Sequence, residues 1–235
     1  MGSVPRSRRS ARLPGRPRYH PAAMPDTLQR LIAVVWAGLT LPLLGALGLA
    51  VRLDSPGPAI YAGQRVGEGG RIFTCHKLRT MRAGPPAGGP GEAITLADDP
   101  RVTHLGRLLR RTRLDELPQL WDVARGDMRL VGPRPEAPAF VDLDDPLQQE
   151  VVRGRPGITG LAQLLHLDEA AELGGPDPVA HYRAVIQPRK LRLDAAYLRH
   201  RSLRLDLWLL AQTPLALSGR RPTVPDFLRA ELADA

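Results

Sequence analysis

The chain is poor in cysteine and in aromatic residues. Cys75 is the one cysteine among 235 residues, which excludes an intramolecular disulfide and a zinc site with several cysteine ligands, and fits a reducing compartment. Aromatic residues make up 4% of the chain, too few to favour base-stacking surfaces for single-stranded nucleic acid. The composition therefore predicts no nucleic-acid partner.

Several common catalytic motifs are also missing. The sequence has no glycine-lysine phosphate loop, no G-x-G-x-x-G, no H-E-x-x-H and no G-x-S-x-G. These absences weaken an assignment as a P-loop nucleotidase, a Rossmann enzyme, a zinc protease or a serine hydrolase.

Positive charge is concentrated near the N-terminus. The formal net charge is +9, and six arginines but no acidic residue precede Met24. Such a stretch can attract anionic lipid headgroups or RNA, or it can lack a specific partner. Residues 1–26 are also rich in Pro, Ser and Gly, so they are predicted to form a disordered basic tail. Met24 is an alternative start for the protein.

One apolar segment is long enough to cross a bilayer as a helix. Residues 31–51 carry no charge and read LIAVVWAGLTLPLLGALGLAV. A signal peptide, a spanning helix and a re-entrant helix hairpin are the three interpretations. Pro42 lies at the centre and is expected to kink the helix. Arg30 and Arg52 flank the two ends, so charge gives no sidedness. Both features favour a re-entrant membrane segment over 27–53.

The strongest chemical signal lies in 107–136, where Asp115 and Glu116 directly follow a group of arginines: Arg107, Arg110, Arg111 and Arg113. A cationic field holds carboxylates ionised and attracts phosphates. An ionised carboxylate can hold a divalent cation or act as a nucleophile. The alternative is a surface helix whose charges are solvated.

Local signals predict the secondary structure around these carboxylates. Asp98 and Asp99 are candidate N-caps for a helix over 100–111. A second helix is predicted over 114–124, with both carboxylates in its first turn, where the helix dipole favours anions. Prolines on both sides of Arg134 fix its backbone and make it a preorganised anion binder.

Four ordered blocks resemble the bacterial sugar transferases, the small monotopic polyprenol-phosphate phosphoglycosyl transferases. The blocks are SPGPAIY at 55–61, HKLRTM at 76–81, DPRVTHLGRLLRRTRLDELPQLWDV at 99–123 and RPGITGLAQL at 155–164. The resemblance implies an α+β, mostly helical fold with short β elements. It further implies a catalytic domain over 54–215, followed by a tail over 216–235. The family often has Ser-Pro at the membrane break, whereas this chain has Leu41-Pro42.

The same resemblance implies an enzyme that transfers a sugar 1-phosphate from a nucleotide diphosphate sugar to polyprenyl phosphate and releases UMP. Asp115 would be the nucleophile and a Mg²⁺ ligand, and Glu116 would hold the metal or orient the nucleophile. Phosphate binding would fall to four basic residues: Lys77, Arg79, Arg110 and Arg134. The implied location is the cytoplasmic face of the bacterial inner membrane, with homo-oligomers and downstream glycosyltransferases as further partners.

Three regions outside these blocks carry weaker expectations. Residues 83–97 are rich in Gly and Pro and are a candidate lid, and 168–178 is the region where sugar preference is expected to be set. Residues 181–210 mix apolar and arginine positions and are expected to form amphipathic helices at the membrane surface, broken at Pro188. The rival hypothesis is a non-enzymatic membrane protein whose arginines bind anionic lipid or RNA.

Overall fold

The computed structural model describes residues 23–82, 94–96, 98–165, 172–173, 176–220 and 222–225. The predicted basic tail lies outside these residues apart from its last few positions, as do most of the candidate lid and of the segment 168–178. The described part is a mostly helical α+β structure with a long apolar N-terminal helix and two small sheets. The predicted fold class is confirmed at this level.

Helices make up most of the described chain. The α-helices are α1 (Asp26–Asp54), α2 (His104–Thr112), α3 (Gln119–Arg125), α4 (Pro146–Val152), α5 (Leu161–Leu165), α6 (Pro178–His181), α7 (Gln187–His200) and α8 (Leu203–Leu217). A π-helical segment, Tyr182–Ile186, joins α6 to α7. Short 3-10 helices cover Glu68–Gly70, Leu114–Glu116 and Pro138–Phe140.

Four strands form two separate pairs. Strands β1 (Ile60–Val66) and β2 (Ile72–Leu78) make an antiparallel hairpin in which Tyr61 faces Lys77. Strands β3 (Arg129–Val131) and β4 (Gly157–Thr159) pair in parallel. Strand β3 ends three residues before Arg134, so this small sheet fixes the chain that leads into the Pro-Arg-Pro turn.

Helix α1 is continuous through Pro42, so no turn divides it into two helices. Its 29 residues correspond to a length of about 43 Å. Proline removes one backbone hydrogen bond, and Thr40 Oγ1 donates to the carbonyls of Trp36 (2.7 Å) and Ala37 (3.2 Å). Threonine bonds of this kind bend helices. The chain between Thr40 and Pro42 is therefore the place where α1 bends most easily.

Both ends of α1 contact the same domain. Near its start, Arg30 Nε donates to the carbonyl of Ala124 (3.0 Å). Near its end, Val51 packs against Leu78 and Leu109. If α1 crossed a bilayer while the domain stayed on one side of it, the two ends of the helix would lie on opposite sides of a hydrocarbon layer about 30 Å thick. The packing of both ends therefore disfavours a simple spanning helix.

One face of α1 packs along the domain, and the other face is exposed and apolar. The packed residues recur every three or four positions: Gln29, Ala33, Ala37, Thr40, Leu44, Leu47 and Val51. On the outer face Leu39 is 68% exposed and Leu41 is 63% exposed. By length and composition α1 is the one described helix that could cross a membrane. Its outer face is too apolar to be a water-facing surface.

The main core lies where α1, the two sheets, α3, α5, α7 and α8 meet. Ala33, Val123, Leu161 and Leu209 are each essentially inaccessible to solvent. Cys75 belongs to the same core, and burial raises the pKa of its thiol to about 11. This cysteine is therefore an unreactive packing residue.

The helices around the carboxylates differ from those predicted. Helix α2 begins at His104, four residues later than expected, because Thr103 rather than an aspartate is its N-cap. Asp99 instead pairs with the guanidinium of Arg101 (2.7 Å). The helix predicted over 114–124 is also wrong, since a 3-10 turn over Leu114–Glu116 precedes the separate helix α3.

The predicted break at Pro188 takes a milder form. The chain stays helical, but the turn before the proline widens, and Gln187 N bonds to the carbonyl of Tyr182 five residues earlier. A proline inside a helix removes one donor and pushes back the carbonyl four residues before it. A π-helical turn accommodates both effects without ending the helix.

The parallel pair β3 and β4 has no room for a side chain at Gly157. A Cβ on this residue would lie 2.1 Å from the backbone nitrogen of Gly132. Gly157→Ala should therefore force the strands apart and lower the free energy of unfolding by about 3 kcal/mol. Gly38→Ala is the control, because no atom lies within 4 Å of its added Cβ. Thermal unfolding in detergent tests this expectation, and equal melting temperatures for the two variants would contradict it.

Candidate active site

The two carboxylates lie in a tight turn between α2 and α3. Arg113 ends α2 in the left-handed conformation, with φ of 56°. The next three residues, Leu114–Glu116, form the 3-10 turn. Asp115 is 6% exposed and Glu116 is 7% exposed. The reversal at Arg113 turns both acidic residues inward, away from the solvated surface that the alternative interpretation required.

Glu116 is surrounded by three cations. Lys77 Nζ donates to Glu116 Oε1 (2.8 Å), and guanidinium nitrogens of Arg113 and Arg134 each lie 3.6 Å from the same oxygen. Burial by itself would raise the pKa of Glu116, but Lys77, Arg134 and Arg113 outweigh it and lower that pKa to about 2. Glu116 is therefore a permanent anion that ties together three parts of the chain.

Asp115 has a different environment. Its buried Oδ1 has no hydrogen-bond partner among the described residues. Burial is the largest effect on this carboxyl and raises its pKa, while the cations Lys77, Arg110 and Arg113 oppose that rise. The cationic field was expected to hold both carboxylates ionised, but it lowers the pKa of Glu116 only, and that of Asp115 is raised by burial. Asp115 is the carboxylate whose oxygen is available to a ligand.

Arg134 is held by its backbone as well as by its ion pair. Its amide donates to Asp194 Oδ2 (3.3 Å), and the carbonyl of Pro133 accepts from Gly157 N (2.8 Å). Burial raises the pKa of Asp194 to about 7. These contacts fix the turn between the two prolines, so the preorganisation predicted for Arg134 has a visible basis. Its binding to phosphate stays a prediction.

Arg110 lies on α2 beside the segment that follows β2. Its Nε donates to Thr80 Oγ1 (2.8 Å). A Cβ at Gly106 would lie 2.0 Å from the carbonyl of Thr80, so glycine lets α2 approach this segment closely. Asp115 is the main charge acting on Arg110. The structure thus brings Arg110, Lys77 and Arg134 to the carboxylate pair, as predicted.

Arg79 lies elsewhere. It is 8% exposed, and its Nη2 donates to the carbonyls of Val51 (3.2 Å) and Ser55 (2.5 Å) at the end of α1. A Cβ at Gly57 would lie 2.2 Å from its Nη1. Two of its nitrogens have no partner within the described chain. Arg79 joins the exit of α1 to the end of β2, and its predicted contact with phosphate stays a prediction.

Two cavities lie around Glu116 and the cations that contact it. A polar pocket of about 80 Å³ carries four basic side chains: Arg65, Lys77, Arg134 and Lys190. A second, mostly apolar cavity of about 150 Å³ is lined by Glu116 and by parts of α3, α5 and α8. Lys77 and Arg134 line the first cavity and contact Glu116, which lines the second. The Glu116 cluster therefore separates a cationic pocket from an apolar one.

The described residues fit a magnesium ion held largely by a substrate. No cluster of three or more His, Cys, Asp or Glu side chains suited to a metal exists in the described ranges. Mg²⁺ commonly binds through one or two carboxylates together with substrate phosphates and water. Asp115, with its unpartnered Oδ1, can supply one such ligand.

Sequence reasoning missed two contributors. Arg113 was grouped with its neighbours, and nothing in the sequence signals that it turns into the left-handed region and faces Glu116. Lys190 pairs with Glu136 (2.9 Å), and Tyr182 donates to the same carboxylate (2.9 Å). The only feature of the sequence that distinguishes Lys190 is that it is one of two lysines in an arginine-rich chain.

Comparison with known proteins identifies the class of enzyme. The family model described as bacterial sugar transferase matches residues 22–220. The chain is 40% identical over 200 residues to a UDP-glucose:undecaprenyl-phosphate glucose-1-phosphate transferase of Caulobacter vibrioides, covering 82% of this chain and 70% of that protein. It is 32% identical over 201 residues to an exopolysaccharide production protein of Sinorhizobium fredii, covering 80% and 81%.

A third relative, from Bacillus subtilis, is provisionally named an undecaprenyl-phosphate N-acetylgalactosaminyl 1-phosphate transferase. It is 44% identical over 110 residues, which are 47% of this chain and 60% of that protein. The chain spans only 31% of a longer relative from Komagataeibacter xylinus. The chain belongs to the bacterial sugar transferase family. The predicted family and the predicted enzyme class, a phosphoglycosyl transferase, are confirmed.

The ion cluster can be tested by removing one of its charges. Lys77→Met should leave Glu116 buried without its closest cation and lower the free energy of unfolding by about 3 kcal/mol. Removing both charges, as in Lys77→Met with Glu116→Gln, should restore part of that loss, because no unpaired carboxylate then remains.

Urea unfolding of the two variants and of Lys77→Arg measures these differences. The Arg variant keeps the positive charge and should lose less stability than the Met variant. A double variant no more stable than Lys77→Met would show that the ion pair does not carry the effect.

Proposed function

We propose that this protein transfers a sugar 1-phosphate from a UDP-sugar to undecaprenyl phosphate and releases UMP. The observation that carries the proposal is the difference between two adjacent buried carboxylates. Glu116 is paired with Lys77, whereas a buried oxygen of Asp115 lacks a partner among described residues. The names of the relatives support the substrates, since they include UDP-glucose and undecaprenyl phosphate.

Asp115 is the nucleophile in this proposal. Its carboxylate oxygen attacks the β-phosphorus of the UDP-sugar, and the bond from that phosphorus to the bridging oxygen breaks. UMP leaves with the bridging oxygen, and the sugar phosphate stays on Asp115 as an acyl phosphate. An ionised carboxylate needs no general base for this step, and the nearby cations Lys77, Arg110 and Arg113 favour the ionised form of Asp115.

The second step regenerates the enzyme. A phosphate oxygen of the lipid attacks the phosphorus of the acyl phosphate, and the bond between phosphorus and Asp115 breaks. The product is a lipid diphosphate sugar. Arg110 and Arg134 clamp the transferred phosphoryl groups, and Lys77 and Arg113 keep Glu116 ionised beside them. Fixed positive charges of this kind position the phosphates and stabilise the negative charge of the transition state for phosphoryl transfer.

A magnesium ion fits this arrangement. When bound, Mg²⁺ would neutralise charge on the diphosphate and help to hold it for in-line displacement. Asp115 is the ligand that this chain offers. Glu116 is committed to its three cations, so its role is to position Lys77, Arg113 and Arg134 rather than to bind the metal.

The membrane is entered from one side in this proposal. The outer face of α1 lies in the apolar part of the bilayer, and both ends of α1 stay on the side of the catalytic domain. The packing of Arg30 on Ala124 and of Val51 on Leu78 supports this arrangement. The domain faces the cytoplasm at the bacterial inner membrane. Homo-oligomers and downstream glycosyltransferases stay predictions.

The pathway is a first membrane step in making a surface glycan, with exopolysaccharide favoured by the name of one relative. The rival hypothesis, a non-enzymatic lipid or RNA binder, leaves the inward-facing carboxylate pair unexplained. An arginine-rich binder displays its cations to solvent, whereas here Lys77, Arg113 and Arg134 converge on one buried carboxylate.

Removing the nucleophile tests the proposed reaction. Asp115→Asn should lower UMP release from UDP-sugars by roughly 10³-fold or more in the presence of undecaprenyl phosphate and Mg²⁺. The amide keeps the size of the side chain but cannot attack phosphorus. Near-normal turnover by this variant would exclude the mechanism.

Leu215→Ala on the exposed part of α8 is the matched control, and it should keep its activity. Membrane binding at increasing salt should be the same for wild type and Asp115→Asn. No UMP release by wild type from any UDP-sugar, together with binding that falls steeply with salt, would favour the rival binder.

A further inference from the structure

The second, mostly apolar cavity forms a groove lined in part by Glu116, and the mechanism above gives it no occupant. Its volume is about 150 Å³. Its apolar wall comes from four elements, with Leu117 and Leu120 on one side and Ile158, Leu164 and Leu217 on the other. A cavity of this size and character beside a charged site excludes water and favours a hydrocarbon ligand.

The groove has few polar groups, and Gln163 Oε1 is the one buried side-chain oxygen among its described lining residues without a hydrogen-bond partner. Thr159 Oγ1 and Thr213 Oγ1 lie 2.7 Å apart, and Thr213 Oγ1 also donates to the carbonyl of Leu209 (2.7 Å). Among the described residues that line the groove, Arg113 and Glu116 are the only charged ones. A nucleotide or a sugar needs many hydrogen-bond partners, so neither suits this cavity.

Two helices that line the groove, α3 and α8, also carry exposed apolar side chains. Leu120 packs against the same core cluster as Ala33 of α1. The neighbouring Trp121 on α3 is 58% exposed, and Leu207 on α8 is 52% exposed. These exposed side chains suit contact with a bilayer, whereas the other cavity is lined by cations such as Lys77 and Arg134.

We propose that this groove binds the first isoprene units of the polyprenyl phosphate acceptor, with Arg113 contacting the lipid phosphate. The inference rests on the proposed function, since it names the acceptor site of that reaction. The charge of the groove fits this ligand. Arg113 is the one basic residue that lines the groove, and it lies two residues before Asp115, which the lipid phosphate must reach. The groove holds only the first part of the isoprenoid chain, and the rest of the lipid stays in the bilayer.

Filling the groove tests this assignment. Leu217→Trp replaces a leucine side chain in the groove with a larger indole ring. Because the ring fills the groove, the KM for undecaprenyl phosphate and for farnesyl phosphate should rise by about tenfold. The KM for the UDP-sugar should stay unchanged, as should UMP release in a single turnover without acceptor. Leu215→Trp is the matched control, because it adds the same ring two residues away on α8 without lining the groove.

Farnesyl phosphate separates two causes, because its short chain does not depend on a bilayer. A raised KM for the long lipid alone would point to altered membrane association and overturn the groove assignment. Equal KM values for wild type and Leu217→Trp with both acceptors would also overturn it. If Leu217→Trp lowers the melting temperature, Ile158→Phe on the opposite wall takes its place and carries the same expectation.

Failure of the proposed function would look different. Wild type would then release no UMP from any UDP-sugar, with or without acceptor. Failure of the groove assignment alone would leave wild-type activity intact and would remove only the selective effect on the acceptor KM.

Discussion

The contact between Lys77 and Glu116 is the interaction on which the arrangement of the site depends. It joins β2 to the turn after α2, and Arg113 and Arg134 converge on the same oxygen from two other parts of the chain. A buried carboxylate is costly unless several cations compensate for its lost hydration. Once Glu116 has taken that role, its neighbour Asp115 is left as the carboxylate with an available oxygen. Two adjacent acidic residues thereby acquire different chemistry from the same cations.

The same cluster divides the space around the site. The cationic pocket lies on the side of Lys77 and Arg134, and the apolar groove lies on the side of α3, α5 and α8. Helix α1 packs on the domain at both ends, and Arg79 caps its exit near Gly57. The proposed donor and acceptor would therefore meet different environments on the two sides of Glu116.

Much of this site was predictable, because its residues lie in a few distinctive blocks. Asp115, Glu116, Lys77, Arg110 and Arg134 were all singled out, and the structure brings them together. Arg79 lies apart from this group, at the end of α1. It is two residues after Lys77 and would share its face on a strand, but β2 ends at Leu78, so the chain turns before Arg79. The turn at Arg113 was missed, since arginine seldom adopts positive φ. Helix α1 runs through Pro42 without a separating turn, and the kink expected at that residue stays a prediction.

The most direct test of the account is the mass of the intact protein after incubation with a UDP-sugar and Mg²⁺ but no lipid acceptor. The account predicts an added mass equal to one sugar phosphate, localised to Asp115 by peptide mapping and removed when undecaprenyl phosphate is added. Asp115→Asn should show no adduct. An adduct on Glu116, or full lipid-dependent turnover with no covalent species at any time, would contradict the assignment of Asp115 as the nucleophile.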